Sequence, residues 1–394
     1  MKYYINFLRD KPIIRSLSLV NFIASFGAWF STVAIYTMVV EFGSSEFAIA
    51  IVTAMHFIPA ILIAPFSGSL IDRLRIKPLM VTLLFIELSM TACFLLIETS
   101  SQFWLLLIFI FIRMSAASMF FSSEMSLLAK IATGKDLQTA NEIQSIIWSF
   151  TYAVGMAVSG FIVNLYGVKA AILIDVAIFV LAFFVFLNIK INIEYKKVEE
   201  KILELMIDGL RYIKNNKIIL HLIFLHASVG LTSYDALITI LAKNEYKELI
   251  AVPLAIGLSN AVRAVALMIG PLFLNKIIKK ENLQYLLIFQ GITIIIWAFA
   301  QSNFYLSLGA LFFVGFSTAF LWSYTYALLQ NHCDKRYIGR VISYNDMFFM
   351  LANVLTTLFI GTMAHITTTS IITICLGVAF LLYAYYYTKI YSKI

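Results

Sequence analysis

From residue 17 onward, apolar stretches of about twenty residues alternate with short polar breaks. Twenty residues at 1.5 Å each is what a helix needs to cross a roughly 30 Å hydrocarbon layer. Because lipid offers no partner to exposed backbone groups, each stretch is predicted to be a helix. That ruler places spans at 17–40, 47–70, 78–98, 102–126, 142–164, 168–189, 218–242, 250–274, 282–300, 303–328, 339–362 and 366–388. The pattern predicts an all-α integral membrane protein of twelve transmembrane helices, with both termini on one side because the number is even.

Composition sharpens this reading. The 394 residues are 61% hydrophobic and only 13% charged, with a mean hydropathy of +0.91, which excludes a soluble core. The run from Leu17 to Val40 exceeds the apolar core of a signal peptide and has no small-residue cleavage site after it, so it reads as the first span. Cys93, Cys333 and Cys375 are too far apart for a CxxC or Cys/His metal spacing.

Orientation follows from the 29 lysines and arginines, since positive loops stay cytoplasmic. With the N-terminus inside, the inner segments hold Lys2, Arg9, Lys11 and Arg15, then Arg73, Arg75 and Lys77, then Lys130 and Lys135. They also hold a basic run between 190 and 217, Lys276, Lys279 and Lys280, Lys335, Arg336 and Arg340, and Lys389 and Lys393. The outer loops keep Lys169, Lys243 and Lys247. A net charge of +8 is thus explained by topology and anionic inner-leaflet lipid, with no nucleic-acid partner implied.

One long polar stretch, Asn188 to Asn216, divides the chain at its midpoint. It predicts an N-terminal six-helix bundle over 1–189, a cytoplasmic linker over 190–217 and a C-terminal six-helix bundle over 218–394. Ile202, Leu205, Met206, Leu210 and Ile213 fall at helical spacing, so the linker is expected to carry an amphipathic helix along the inner membrane surface. The halves also match weakly at an offset of about 200. "ASFG" at 24–27 recurs as "ASVG" at 227–230, Gly68 with Leu70 as Gly270 with Leu272, and "AASMFFSS" at 116–123 resembles "FSTAFLWS" at 316–323. A duplicated six-helix unit accounts for all three, and many secondary transporters are built that way.

Between spans 2 and 3 lies "GSLIDRLRIK", residues 68–77. It resembles the loop 2/3 signature of the major facilitator superfamily, with Gly68, Leu70, Asp72, Arg73 and Lys77 matching and Arg75 standing where the pattern has glycine. "ANEI" at 140–143, "LYGVKAAILID" at 165–175 and "GRVIS" at 339–343 are similar to the branch holding macrolide-type drug exporters and the lysophospholipid transporter. The span 5 antiporter signature is degenerate, for "VGMAVSG" keeps Gly155 and Gly160 without a proline. The resemblance implies a major facilitator fold that works by alternating access, with Gly68, Asp72, Arg73 and Lys77 as a conformational latch. Asp72 can accept hydrogen bonds that must break when the halves rock, whereas Arg73, Arg75 and Lys77 also hold the loop in the cytoplasm.

Charges inside the spans default to function, because an unpaired charge in hydrocarbon costs several kcal/mol. Glu87 and Arg113 are placed near mid-depth and able to pair, Arg263 equally deep, Asp235 toward the outside and Asp346 toward the inside. Asp175 is expected to be structural. The resemblance puts Arg113, Asp235, Arg263 and Asp346 near the transport path, with Arg113 acting on a neighbouring carboxylate and Asp235 or Glu87 as the proton-exchanging acid. His56 and His226 are proton-relay or packing residues. Asn21, Ser25 and Trp29 of span 1, Met114 of span 4, and Trp322 and Tyr326 of span 10 are predicted to line a cavity for a bulky amphipathic molecule.

No P-loop, GxSxG elbow or HExxH occurs, so an enzyme is not expected, nor a metal site. The expected protein is a monomeric inner-membrane transporter without cofactor, coupled to the proton gradient and exporting a hydrophobic or amphipathic small molecule. Lysophospholipid movement and a non-transporting sensor built on the same scaffold are the alternatives.

Overall fold

The computed structural model describes residues 2–191, 202–275, 277–334 and 336–393. Among the described residues the chain is helical throughout, and eleven segments are long and apolar enough to cross a membrane. One of them, Gly134–Leu187, is 54 residues long and turns back at Gly167, whose φ of 82° and ψ of 171° are open to glycine and strained for other residues. It therefore supplies spans 5 and 6, as 134–166 and 168–187, and the total is twelve. Span 1 is Pro12–Glu41, span 3 Ile76–Cys93, span 4 Phe103–Ile131 and span 8 Val252–Leu274. Spans 9 to 12 are Leu283–Ala300, Phe304–His332, Ile338–Met363 and Thr369–Ile390.

Two spans are broken, and each break has a local cause. Span 2 runs as Glu46–Ala54 and Ile58–Arg73, parting just before Pro59, which lacks an N–H and crowds the preceding turn. Span 7, expected as one helix, runs as Lys217–Ala227, a 3-10 stretch Ser228–Thr232, and Asp235–Leu241. There Ser228 Oγ donates to Leu225 O at 2.6 Å and Thr232 Oγ1 to Val229 O at 2.8 Å, offering the backbone carbonyls partners outside the helical ladder. Gly230 lies between them, and a Cβ on it would strike Ala352 and Asn353 of span 11.

The repeat seen in the sequence is visible in packing. Gly27, the counterpart of Gly230, likewise sits where a Cβ would strike a neighbouring helix, here Asp175 and Ile178 of span 6. Spans 4 and 5 extend further toward the termini than hydropathy alone indicates. Their charged ends leave the apolar layer, and Lys11 before span 1 meets Asp136 at 2.6 Å.

The ion pairs that join the two sets of six spans among the described residues fall at the end away from the termini. Lys243 Nζ lies 3.0 Å from Glu46 Oε1 and donates to Ser44 O at 2.8 Å, and His365 Nδ1 is 3.6 Å from Glu46 Oε2. Beside them spans 5 and 8 touch backbone to backbone. A Cβ on Gly257 would lie 2.6 Å from Met156 O and 3.0 Å from Gly160 Cα. On the same end Glu98, outside the spans, accepts from Lys169 at 2.6 Å, a contact that holds its carboxyl below the usual carboxylate range. Toward the termini, Phe22, Phe121, Trp148 and Trp322 are exposed. The linker helix Ile202–Asn215 docks at that end on span 11, with Arg340 Nη1 donating to Asp208 Oδ2 at 2.6 Å and Tyr212 stacked 4.3 Å from Tyr337.

Candidate functional site: two buried charge clusters and an aromatic wall

The first cluster is within the N-terminal set. Arg113 Nη2 donates to Asp175 Oδ2 at 3.1 Å, and Ser31 Oγ donates to the same oxygen. The pair is almost sealed, with side chains 6% and 0% exposed, and the guanidinium lies between the rings of Phe94 and Phe179. Each aromatic face attracts the cation and excludes water. Glu87, expected as the partner of Arg113, is buried on span 3 without an ion pair to it. Asp175 takes that place because span 6 packs on span 1 at Gly27 and brings its carboxylate past the missing side chain.

The second cluster lies between the two sets. Arg263 of span 8 faces Asp235 of span 7 at 3.9 Å, with side chains 10% and 21% exposed. Its Nη2 donates to Thr232 O at 2.8 Å, occupying a carbonyl of the unwound stretch. Its Nη1 is 3.5 Å from the hydroxyl of Tyr152 in span 5, which itself donates to Asn260 Oδ1 at 3.1 Å. The Tyr234 ring lies 5.2 Å from the guanidinium carbon. Arg263 therefore connects the break in span 7 to the opposite set.

The residues expected to line a cavity form two walls. On span 1, Trp29 packs 4.5 Å from Tyr152, so it adjoins the second cluster. Ser25 Oγ donates to Asn21 Oδ1 at 2.7 Å, and Asn21 Nδ2 donates to Gln144 Oε1. Gln144 Nε2 in turn donates to Glu124 Oε1 at 2.8 Å. On span 10, Trp322 and Tyr326 stack at 5.0 Å and flank His226. Met114 is half-buried against the core cluster that both halves share, and Asp346 is half-buried with an Asn345 amide at 3.4 Å. His56 bonds Val52 O at 2.9 Å and rests beside Tyr36, a packing arrangement.

Of the loop 2/3 residues, the side chains of Asp72 and Arg73 and the surroundings of Gly68 lie outside what the structure describes. Lys77 Nζ donates to Leu187 O at 3.0 Å, tying the loop to the end of span 6. Arg75 sits at φ −65°, which any side chain adopts, so the turn has no need of the glycine found in the signature.

Sequence reasoning passed over Glu124, Gln144, Tyr152 and Asn260. Glu124 is 2% exposed, although it stands two residues from the predicted end of span 4. The span in fact continues to Ile131 and encloses it. The other three are uncharged, and hydropathy gives no sign that they converge.

Among solved structures, the chain is similar to the nucleoside transporter NupG, with a TM-score of 0.76 at 12% identity over 96% of this chain and 99% of that one. It is also similar to a bacterial homologue of the human lysosomal transporter Spinster in an inward-facing, unoccupied conformation, with a TM-score of 0.73 at 12% identity over 96% and 95% of the two chains. A D-xylose–proton symporter gives 0.73 at 14% identity over 94% and 97%. These likenesses show the fold. No curated protein sequence matches the chain. The family model of the Major Facilitator Superfamily matches residues 17–357, from span 1 into span 11. The chain belongs to the major facilitator superfamily and is a multi-pass secondary transporter working by alternating access, not an enzyme.

Proposed function

We propose that this transporter exports a hydrophobic or amphipathic small molecule in exchange for protons, and that Asp235 is the carboxylate that exchanges them. The observation that carries the reading is the second cluster. A carboxylate held 3.9 Å from a guanidinium, one-fifth exposed, sits where the two halves meet and where span 7 is unwound. Protonating Asp235 removes its attraction to Arg263, which also holds Thr232 O and reaches Tyr152 in the other half. Loading a proton therefore acts on a contact between the moving parts. The aromatic walls around Trp29 and Trp322 support a bulky, largely apolar cargo.

The domains are read as residues 1–189 and 218–394 rocking about this contact, joined by the linker over 190–217. The positive-inside rule supports cytoplasmic termini, and the protein is read as a monomer in a bacterial-type inner membrane. The Glu46–Lys243 end then faces outward and is shut, so the conformation is inward-facing. Opening the outer end breaks that ion pair and parts Gly160 from Gly257, while Asp72 and Arg73 latch the inner end.

Resemblance to the drug-exporter and lysophospholipid branch keeps lipid movement as the rival. That rival needs a cation open to phosphate, and Arg263 is only 8% exposed, with Nη2 on Thr232 O and Nη1 toward Tyr152 and Asp235. The test is flux of a fluorescent amphipathic cation and of a fluorescent lysolipid in proteoliposomes under an imposed pH gradient. Cation flux that reverses with the gradient is expected. Flux of the lysolipid alone, or of neither, contradicts the proposal.

A further inference from the structure

We infer that His226 reads a hydrogen-bond donor on a planar ring, making the pocket of His226, Trp322, Tyr326 and Phe349 a specificity site of the C-terminal half. The inference deepens the reading of the protein as an exporter of amphipathic compounds and rests on it.

His226 is the penultimate residue of the first helical piece of span 7, two residues before the 3-10 stretch, and about 14 Å from that helix's start at 1.5 Å per residue. Irregular backbone at such depth is where many transporters hold their cargo. The imidazole Nδ1 lies 2.8 Å from Thr325 Oγ1. Thr325 has one hydroxyl proton, with Leu321 O at 2.7 Å and the imidazole Nδ1 at 2.8 Å both within its reach, and the site inferred here has it on Leu321 O. Oγ1 can then only accept, so Nδ1 carries the ring proton and Nε2 is left with a lone pair. That Nε2 is buried with no hydrogen-bond partner among the described residues.

A buried acceptor without a donor is destabilising, because it has given up water and gained no partner. Here it is enclosed by rings instead of polar groups, with centroids at 5.8 Å for Trp322, 5.5 Å for Tyr326 and 5.5 Å for Phe349. Trp322 is 40% exposed and Tyr326 half-buried, and the site inferred here opens when one of these two rings turns aside. A flat ring can take the place of the turned one against the aromatic wall. To satisfy Nε2 it must bring an O–H or N–H, because a pure acceptor sets two lone pairs against each other. The ligand class is a planar aromatic or heteroaromatic compound with a hydroxyl or amine on its edge.

Three probes separate ring from donor: 2-naphthol, naphthalene and 2-methoxynaphthalene. Binding to the purified full-length protein is read as quenching of Trp322 fluorescence, isolated by difference from Trp322→Phe. The wild type is expected to bind 2-naphthol roughly five- to tenfold tighter than the ether, the worth of one hydrogen bond. His226→Phe is expected to bind all three equally. Tyr326→Leu, a change at a partly exposed position that keeps the fold if His226→Phe does not, is expected to weaken all three alike and keep the preference for the hydroxyl. Equal affinities in the wild type, or a preference that survives His226→Phe, overturn the inference. A wild type that shows gradient-driven flux but no hydroxyl preference refutes this site and leaves the transport reading standing. A hydroxyl preference without gradient-driven flux supports the site and refutes the coupling.

Discussion

The two arginine–aspartate pairs occupy different places on a duplicated scaffold, spans 4 and 6 in one half against spans 7 and 8, the counterparts of 1 and 2, in the other, and they are built differently. Arg113 and Asp175 meet at 3.1 Å inside one bundle, sealed by Phe94, Phe179 and Ser31. Arg263 and Asp235 stand 3.9 Å apart at the junction of both bundles, partly open and beside a broken helix. A sealed pair cannot gain or lose a proton without exposing a bare charge to an apolar interior, so it suits a fixed brace. An open pair at a moving junction suits a coupling switch. The difference argues that depth in the membrane is a poor guide to function unless one also asks what would have to move.

The comparison breaks first at the brace. Arg113→Ala leaves the Asp175 carboxylate uncompensated at zero exposure and is expected to cost about 3–5 kcal/mol, whereas Arg263→Ala, whose partner reaches water, should cost well under half of that. Thermal unfolding in detergent measures both, and equal losses would erase the distinction between brace and switch. A next effect is expected at the closed end. Gly257→Leu inserts a side chain where Met156 O and Gly160 already touch, so it should hold the end open and cut transport at least tenfold, an order-of-magnitude expectation from the packing clash. Distances between spin labels across spans 5 and 8 would show whether the end opens. The smallest change is at Glu46. Its pair with Lys243 lies near the surface, where such pairs contribute about 0.2–1 kcal/mol, so Glu46→Gln should shift the open and closed populations by only a few-fold. The same labels read that shift, and an effect as large as that of Gly257→Leu would make the ion pair, not the glycine contact, the main closure.

Span number and the repeated glycines were legible because they depend on apolar length and small residues, which a sequence displays directly. Gly27 and Gly230 show why: both mark a helix crossing too close for a Cβ. The site was legible only in part. Arg113, Asp235 and Arg263 stood out because a charge in an apolar run is conspicuous, but the partner of Arg113 was not deducible. Spacing along one helix says nothing about whether span 3 or span 6 turns its carboxylate toward span 4. The break in span 7 was written in "ASVGLTS", where small residues and hydroxyls crowd together, although hydropathy reads the stretch as continuous. Tyr152 and Asn260 gave no signal, since their role arises from meeting across the two halves.

The claim that Asp235 couples proton movement to transport is tested most directly by two measurements on Asp235→Asn in proteoliposomes. One is exchange of substrate at equal concentration and equal pH on both sides, which needs only a working alternating-access cycle. The other is accumulation driven by a pH gradient, which needs a proton carried in the return direction. The account predicts that exchange persists at near wild-type rate while gradient-driven accumulation is lost. Accumulation that survives in Asp235→Asn would contradict it.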